Sequence, residues 1–489
     1  MQMRVPRSPV QGRLTAALIA AVVASSCTSE KIVYRSEPSF TTPPTAAGDF
    51  VGYADTAAKQ TVCGNCHVEK QAQWAGTKHA SAWADLQASG HAGASCEPCH
   101  TVSKNGNAVT VDAVGYTSTK DSRYDDVQCE SCHGPGLAHV TSPGLGNRPL
   151  ASIAVDTGTA FGNGCGECHT GTHEPFVDEW KLSGHAALRL TSRSGPGPAL
   201  NSSCYMCHSG QGALASWGIN TDYVEKSGLG VNPVGTTCAV CHDPHAKDND
   251  HQLRFPIDVP DETQNLCMKC HHRRATPDLT SASSGAHSPE GPTLLGYAGW
   301  IPPNMSTTGT DTIIATHGSE RNPGLCATCH VSRFSVTDPA TGNFVFQATG
   351  HLFLAIPCID SLGKPTNADC DVSQRTFAAC AASGCHGSPD VAKSAMLTVE
   401  QRFALLDSTL THQIAQIPAT EFSNTDGKYT TGEGAKFNLS LSRAPGAYIH
   451  NPFLIEALMT ASIRQITIDY NIPAADKVNL NNILPTMGH

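Results

Sequence analysis

The sequence predicts a mainly α-helical chain with extensive loops and little β structure, packed around an interior that side chains alone do not fill. Glycine and proline, at 44 and 31 residues, break the 489-residue chain into short periodic pieces. Aromatic residues make up only 6% of it, too few to organise one apolar core at this length. The third observation is that 21 cysteines and 23 histidines recur largely as one pattern instead of scattering. A net charge of -10 with few Lys and Arg leaves no concentrated basic face, so nucleic acid is not expected as a partner.

Residues 1–26 read as a signal peptide, with Arg4, Arg7 and Arg13 as the positive region and residues 14–24 as a short apolar run. That run is too short to span a membrane permanently. Ala24, Ser25 and Ser26 precede Cys27, and the stretch resembles a bacterial lipoprotein processing site. A large aliphatic residue is usual where Ala24 stands, so ordinary cleavage stays open beside a lipid anchor at Cys27. Acyl chains there would tether stably, each buried methylene contributing about 0.8 kcal/mol. Residues 27–55, rich in Ser, Thr and Pro, are expected to form a flexible tether.

The recurring pattern is Cys-x-x-Cys-His. It occurs at Cys63, Cys66 and His67; Cys96, Cys99 and His100; Cys129, Cys132 and His133; and Cys165, Cys168 and His169. It returns at Cys204, Cys207 and His208; Cys238, Cys241 and His242; Cys267, Cys270 and His271; and Cys326, Cys329 and His330. Chance would supply roughly 0.04 copies at this composition. Two thiols so spaced add across the vinyl groups of one haem, and the next His lies under the ring as the proximal iron ligand. A disulfide framework would not demand a His after every second Cys, and zinc sites would not repeat one five-residue pattern eight times. Haem c is therefore the missing core material, with eight groups set by motif.

First cysteines fall 29 to 39 residues apart as far as Cys267, which makes 56–275 a seven-haem region. The next steps are longer, and 276–390 holds the eighth motif and a candidate ninth. There Cys380, Cys385 and His386 keep the terminal Cys-His but place four residues between the thiols, similar to variant attachment sites of multihaem cytochromes. A disulfide pair beside a surface His is the alternative. Cys358 and Cys370 lack a following His, so in an oxidising compartment a bridge closing that loop is expected.

Periodic segments are short. Residues 69–74 and 79–87 read as helices, the second carrying His79 and Trp83 on one face. Residues 391–489 read as a helical packing region. Val399, Phe403, Leu406, Leu410, Ile414 and Ile417 form one apolar stripe that Pro418 ends. A second helix opens with Asn451 as cap and Pro452 in its first turn, continuing through Leu454, Leu458 and Ile466 and holding His450 just outside its start.

Nine proximal histidines leave fourteen others. Only Met305, Met396, Met459 and Met487 lie outside the motifs beyond residue 26, so bis-His, low-potential haems are expected over His/Met ones. His245, His173 and His139 follow their nearest motifs too closely to cross to the far face of the same ring, so each suits a neighbouring haem. The distal candidates are His79, His91, His139, His185, His245, His287, His317, His351 and His450. His173, His251 and His272 come next; His412 points away from the stripe, and His489 reads as a bystander.

The Cys63 region, residues 78–100 and the run 129–139 resemble the superfamily of the nitrifier tetrahaem cytochrome and octahaem hydroxylamine oxidoreductase. Residues 238–245 and 266–271 are similar to doubled-motif segments of exported multihaem cytochromes, and residues 449–452 look like a helix-start ligand of the superfamily. The resemblance implies export and a multihaem fold with carriers and enzymes among its members. Catalytic nitrite reductases of this group carry Cys-x-x-Cys-Lys, whereas every motif here ends in His. The expectation is an electron carrier working between periplasmic or membrane donors and an acceptor at or beyond the cell surface. The alternatives are an oxidoreductase acting on a small nitrogen or sulfur compound at one open haem, and a subunit that self-associates through terminal haems.

Overall fold

The computed structural model describes residues 47–155, 164–171, 173, 175–187, 202–228, 233–246, 248–278, 285–305, 312–338, 340–382, 384–423 and 429–484. The signal segment, Cys27, most of the expected tether, Met487 and His489 lie outside the described residues.

Two of the longest helices begin where local chemistry satisfies their first N–H groups. Ser388 caps Pro389–Ile414, its hydroxyl accepting from the Val391 N–H, with Pro389 in the first turn. The helix therefore starts ten residues ahead of the Val399 stripe. Asn451 caps Pro452–Tyr470 through the Leu454 N–H. A third helix, Thr431–Ser442, escaped the periodicity reading but carries a reciprocal capping box between Thr430 and Glu433.

These three helices build the largest side-chain core among the described residues. Leu406, Leu410, Leu441, Leu454, Leu458, Met459, Ile463 and Ile466 pack there at 2% exposure or less. Arg402 and Glu456 form an ion pair inside it at 2.9 Å. The Glu456 carboxylate also accepts from the Ile483 and Leu484 N–H groups, which ties the following segment to the bundle. Further hydrogen bonds to the carboxylate, and one from Arg402 Nη2 to the Asn481 carbonyl at 3.0 Å, offset the cost of burying the pair.

Elsewhere apolar side chains gather only in small clusters. Phe50, Val102, Val114 and Tyr124 form one; Met268, Leu294, Leu295 and Leu325 form another. The first corrects the end of the tether. Phe50 and Val51 are fully buried, and Tyr53–Asp55 pairs antiparallel with Gln60–Thr61. The buried Glu130 carboxylate accepts from the Val51, Gly52 and Gly136 N–H groups. Large hydrophobic residues at 50, 51 and 53 thus pull the chain into the fold ahead of residue 55.

The helix expected over 79–87 is broken at Ser81. A 3-10 turn, Lys78–Ser81, leads into Ala82–Ala88, whose first N–H groups at Trp83 and Ala84 are capped by the Asp126 carboxylate instead of a local side chain. Strand is confined to three two-stranded antiparallel ribbons among the described residues. In the longest, Phe334–Thr337 lies against Phe344–Ala348 with Phe334 opposite Ala348. The fold is mainly helical, loop-rich and poor in strand.

Candidate functional site

Each attachment motif closes on a single turn. The His67, His100, His169, His242 and His271 N–H groups bond back to the carbonyls of the first cysteines of their own motifs, at 2.9 to 3.1 Å. This i to i+4 closure brings two thiols and one imidazole to the same side of the backbone, the arrangement one porphyrin edge requires. Cys380 lies in the short helix Ala378–Ala382, and Cys385 and His386 follow in the turn beyond it; Ser383 lies outside the described residues. Cys358 and Cys370 are joined in a disulfide, with Cα atoms 6.1 Å apart.

Histidines far apart in sequence meet ring to ring. Centroids lie 6.5 Å apart for His67 and His139, 6.2 Å for His79 and His169, and 6.1 Å for His133 and His245. The values are 6.3 Å for His185 and His271, 6.2 Å for His208 and His287, and 6.4 Å for His242 and His351. His317 and His386 stand at 6.2 Å, and His330 and His450 at 6.1 Å. A metal–imidazole bond of about 2.0–2.1 Å, plus roughly 1.1 Å from nitrogen to ring centre, places two rings on one metal about 6.3 Å apart. All eight pairs fall at that separation, and each joins one motif histidine to one histidine from outside the motifs.

The second ring nitrogens fix which atom faces the gap. Nδ1 of His133, His242, His330 and His317 lies 2.6 to 3.0 Å from the carbonyls of Pro149, His251, Phe353 and Ile449. A carbonyl only accepts, so Nδ1 carries the proton and Nε2 keeps its lone pair for iron. Burial, then the facing imidazole, lowers the pKa of His79, His185, His351 and His450 to about 4, which keeps them in the neutral form that binds metal.

A cavity of about 2600 Å³ runs between these groups, lined by His79, His185, His271, His330 and His386 among others. A pocket for one small molecule measures roughly 300–1,000 Å³. Among the described residues no three His, Cys, Asp or Glu side chains converge as a closed metal cage would need. Room for several flat groups, with thiols at their edges and paired imidazoles across them, fits haem.

Neighbouring motifs touch. The thiols of Cys63 and Cys129, Cys99 and Cys168, Cys165 and Cys238, Cys207 and Cys270, and Cys267 and Cys326 lie close enough to shift one another's ionisation. Cys132 and Cys165, Cys241 and Cys270, and Cys329 and Cys380 are the next neighbours, close enough to interact electrostatically.

Residues 62–134 match the family model for cytochrome c554 and c-prime, and residues 232–276 match that for the doubled CXXCH motif. The multiheme cytochrome MtrA of Shewanella baltica (strain OS185) is 25% identical over 199 residues, or 38% of this chain. This chain is a multihaem c-type cytochrome. It covers 54% of that relative, about half its length. An undecaheme cytochrome from the S-layer of Carboxydothermus ferrireducens superposes on 89% of the cytochrome and 71% of its own chain, with a TM-score of 0.47 and 18% identity.

One distal candidate of the cytochrome stands apart. His91 lies in an exposed turn with Nδ1 3.3 Å from the Ser89 hydroxyl, and it faces no motif histidine. Its neighbours Gly90 and Gly93 have nothing within 4 Å of where a side chain would begin, and the segment is tied to the motif by the Cys96 N–H donating to the Gly93 carbonyl at 2.9 Å. His100 has its Nδ1 3.2 Å from the Ala82 carbonyl, and no imidazole stands opposite it among the described residues. His173, His251 and His412 are exposed, and His272 bonds the Met268 carbonyl. Met396 lines the cavity, Met459 is buried in the helical core, and Met305 packs against that core.

Sequence reasoning also missed two carboxylates. Glu290 lies 3.1 Å from Nδ1 of His271, and Asp243 lies 3.2 Å from Nδ1 of His245. A carboxylate on Nδ1–H makes the ligand more basic and favours ferric iron. Replacing Glu290 with Gln is expected to raise the potential of one haem by roughly 40 mV. That is the one-electron equivalent of about 1 kcal/mol, the margin of a charged over a neutral hydrogen bond. A spectroelectrochemical titration reads it; an unchanged set of potentials would show that Glu290 only packs.

Proposed function

We propose that the cytochrome conducts electrons through nine haems, eight of them held between two histidines. The observation that carries this reading is the set of eight imidazole pairs at 6.1 to 6.5 Å. When bound, haem supplies the one-electron iron chemistry. The chain's own residues would hold each ring by its edge, and eight of them by both faces. The thiol contacts support a series of first, third, fourth, sixth, seventh, eighth and ninth motifs, with the second branching from the fourth and the fifth from the seventh. Cys66 at one end of the series and Cys385 at the other are exposed, so both ends are open to redox protein donors and acceptors.

Export suits covalent haem attachment, and a lipid on Cys27 would hold the cytochrome at a membrane on the periplasmic side or at the cell surface. No described helix is long and apolar enough to cross a membrane. Intact mass measurement of the purified protein tests the cofactor count. Nine haem additions are expected, falling to eight or to a singly attached ninth in Cys385→Ser; eight additions in the unaltered chain would remove the Cys380 site.

His100 supports a second reading, in which the second haem keeps an open axial position for a small nitrogen or sulfur compound. One high-spin equivalent that binds cyanide would favour it. Complete low-spin iron, indifferent to cyanide, would exclude it.

A further inference from the structure

Phe353 meets the axial histidines of three motifs at once. Its ring lies 4.5 Å from that of His185 and 5.6 Å from that of His351, edge-on to both, with interplanar angles of 74° and 64°. Its carbonyl accepts from His330 Nδ1 at 2.9 Å. Those histidines belong to the pairs of the seventh, sixth and eighth motifs, consecutive members of the series.

The backbone at Phe353 is left-handed, with φ at 56°. A bulky residue rarely occupies that region, and it persists only where the surroundings dictate it. Here they do. The buried Glu179 carboxylate accepts from the Thr349 N–H and hydroxyl and from the His351 N–H, all at 2.6 to 2.7 Å. Gly350 lets the loop lie against the Val331 backbone, where a Cβ would come within 2.4 Å of a carbonyl carbon. Phe353 then closes the turn onto the Gly350 carbonyl at 3.0 Å. A ring packed edge-on against an imidazole restricts its rotation about the nitrogen–metal axis, and a carbonyl on Nδ1–H fixes the plane of a third.

We propose that Phe353 is a positioning residue that sets the imidazole planes at the sixth, seventh and eighth haems together. The proposal rests on reading the histidine pairs as axial ligands. It goes beyond that reading in assigning their shared orientation to one strained residue that ligates no metal, with Phe176, 4.8 Å from the His351 ring, and the Thr349 hydroxyl, 3.3 Å from its Nδ1, as further contacts at the sixth pair.

The test compares Phe353→Gly, Phe353→Asn and Phe353→Tyr in the haem-loaded protein, by electron paramagnetic resonance and potentiometric titration beside thermal melting. Gly and Asn accept the left-handed backbone, so both are expected to fold while losing the ring, and either suffices if the other does not accumulate. Their low-spin signals are expected to shift for at least two haems. Electron equilibration through the sixth to eighth haems is expected to slow by about tenfold, the lower end of what loss of a ligand-orienting partner costs in metal-site activity. Tyr keeps the ring and is expected to restore the parent spectra. Gly and Asn variants with parent signals and potentials, even with a changed melting temperature, would overturn the proposal, as would a Tyr variant that behaves like Gly. A parent protein lacking bis-imidazole signals would instead remove the ligand pairing, and the proposal with it.

Discussion

Chain synthesised where haem cannot be attached is expected to lose cooperative melting and to be cut rapidly by protease throughout residues 47–382. Among the described residues of that span the side chains make mostly small separate clusters, such as Phe50 with Val102, Val114 and Tyr124, and the motif turns other than those at Cys63 and Cys129 line a common cavity. Without haem, those turns would expose thiols and imidazoles around an interior with nothing to bury. Holo-specific binding energy is then folding energy, as in metal-dependent domains. The C-terminal helices differ, because Pro389–Ile414, Thr431–Ser442 and Pro452–Tyr470 bury a core of their own. Circular dichroism of the apoprotein is therefore expected to keep a helical remnant. A soluble apoprotein that melts cooperatively and resists protease like the loaded form would show that side chains suffice.

Replacing His450 with Ala is expected to convert one haem, the eighth, from low-spin to high-spin and to leave the others unchanged. His450 stands in the turn Ala447–His450, entered through Gly446 at φ 70° and followed by the cap residue Asn451. Asn451 is fully buried and also donates to the Thr293 and Ile313 carbonyls, so the turn is anchored without help from the imidazole. The substitution should cost ligation far more than fold. Because the eighth motif lies between the seventh and ninth in the series, reduction of the ninth haem from the far end should slow markedly. Unchanged spin states would mean that His450 faces His330 without ligating iron.

The attachment motifs and the helical, loop-rich, haem-packed class were legible because covalent attachment is local chemistry: two thiols and one imidazole must fit one turn. Which histidine stands across each ring was not, because the pairing depends on distant packing. His67 meets His139 and His242 meets His351 only after the whole chain has folded. His91 illustrates the limit. It is the same residue type as the other candidates, but its segment, flanked by Gly90 and Gly93, is exposed. Phe353, Glu290 and Asp243 were illegible for the same reason. A Phe beside two imidazoles and a carboxylate on Nδ1 carry no motif, and their roles exist only in three dimensions. The start of the long helix was readable in retrospect, since Ser388 before Pro389 is a capping signal that an apolar stripe alone does not reveal.

The most direct test is an electron paramagnetic resonance spectrum of the fully oxidised protein, integrated against total haem. The eight facing histidine pairs predict about eight low-spin bis-imidazole haems per chain, with the haem of the Cys96 motif as the one remaining. Several equivalents of high-spin iron, leaving clearly fewer than eight low-spin haems, would contradict the ligand pairing on which the electron-transfer account rests.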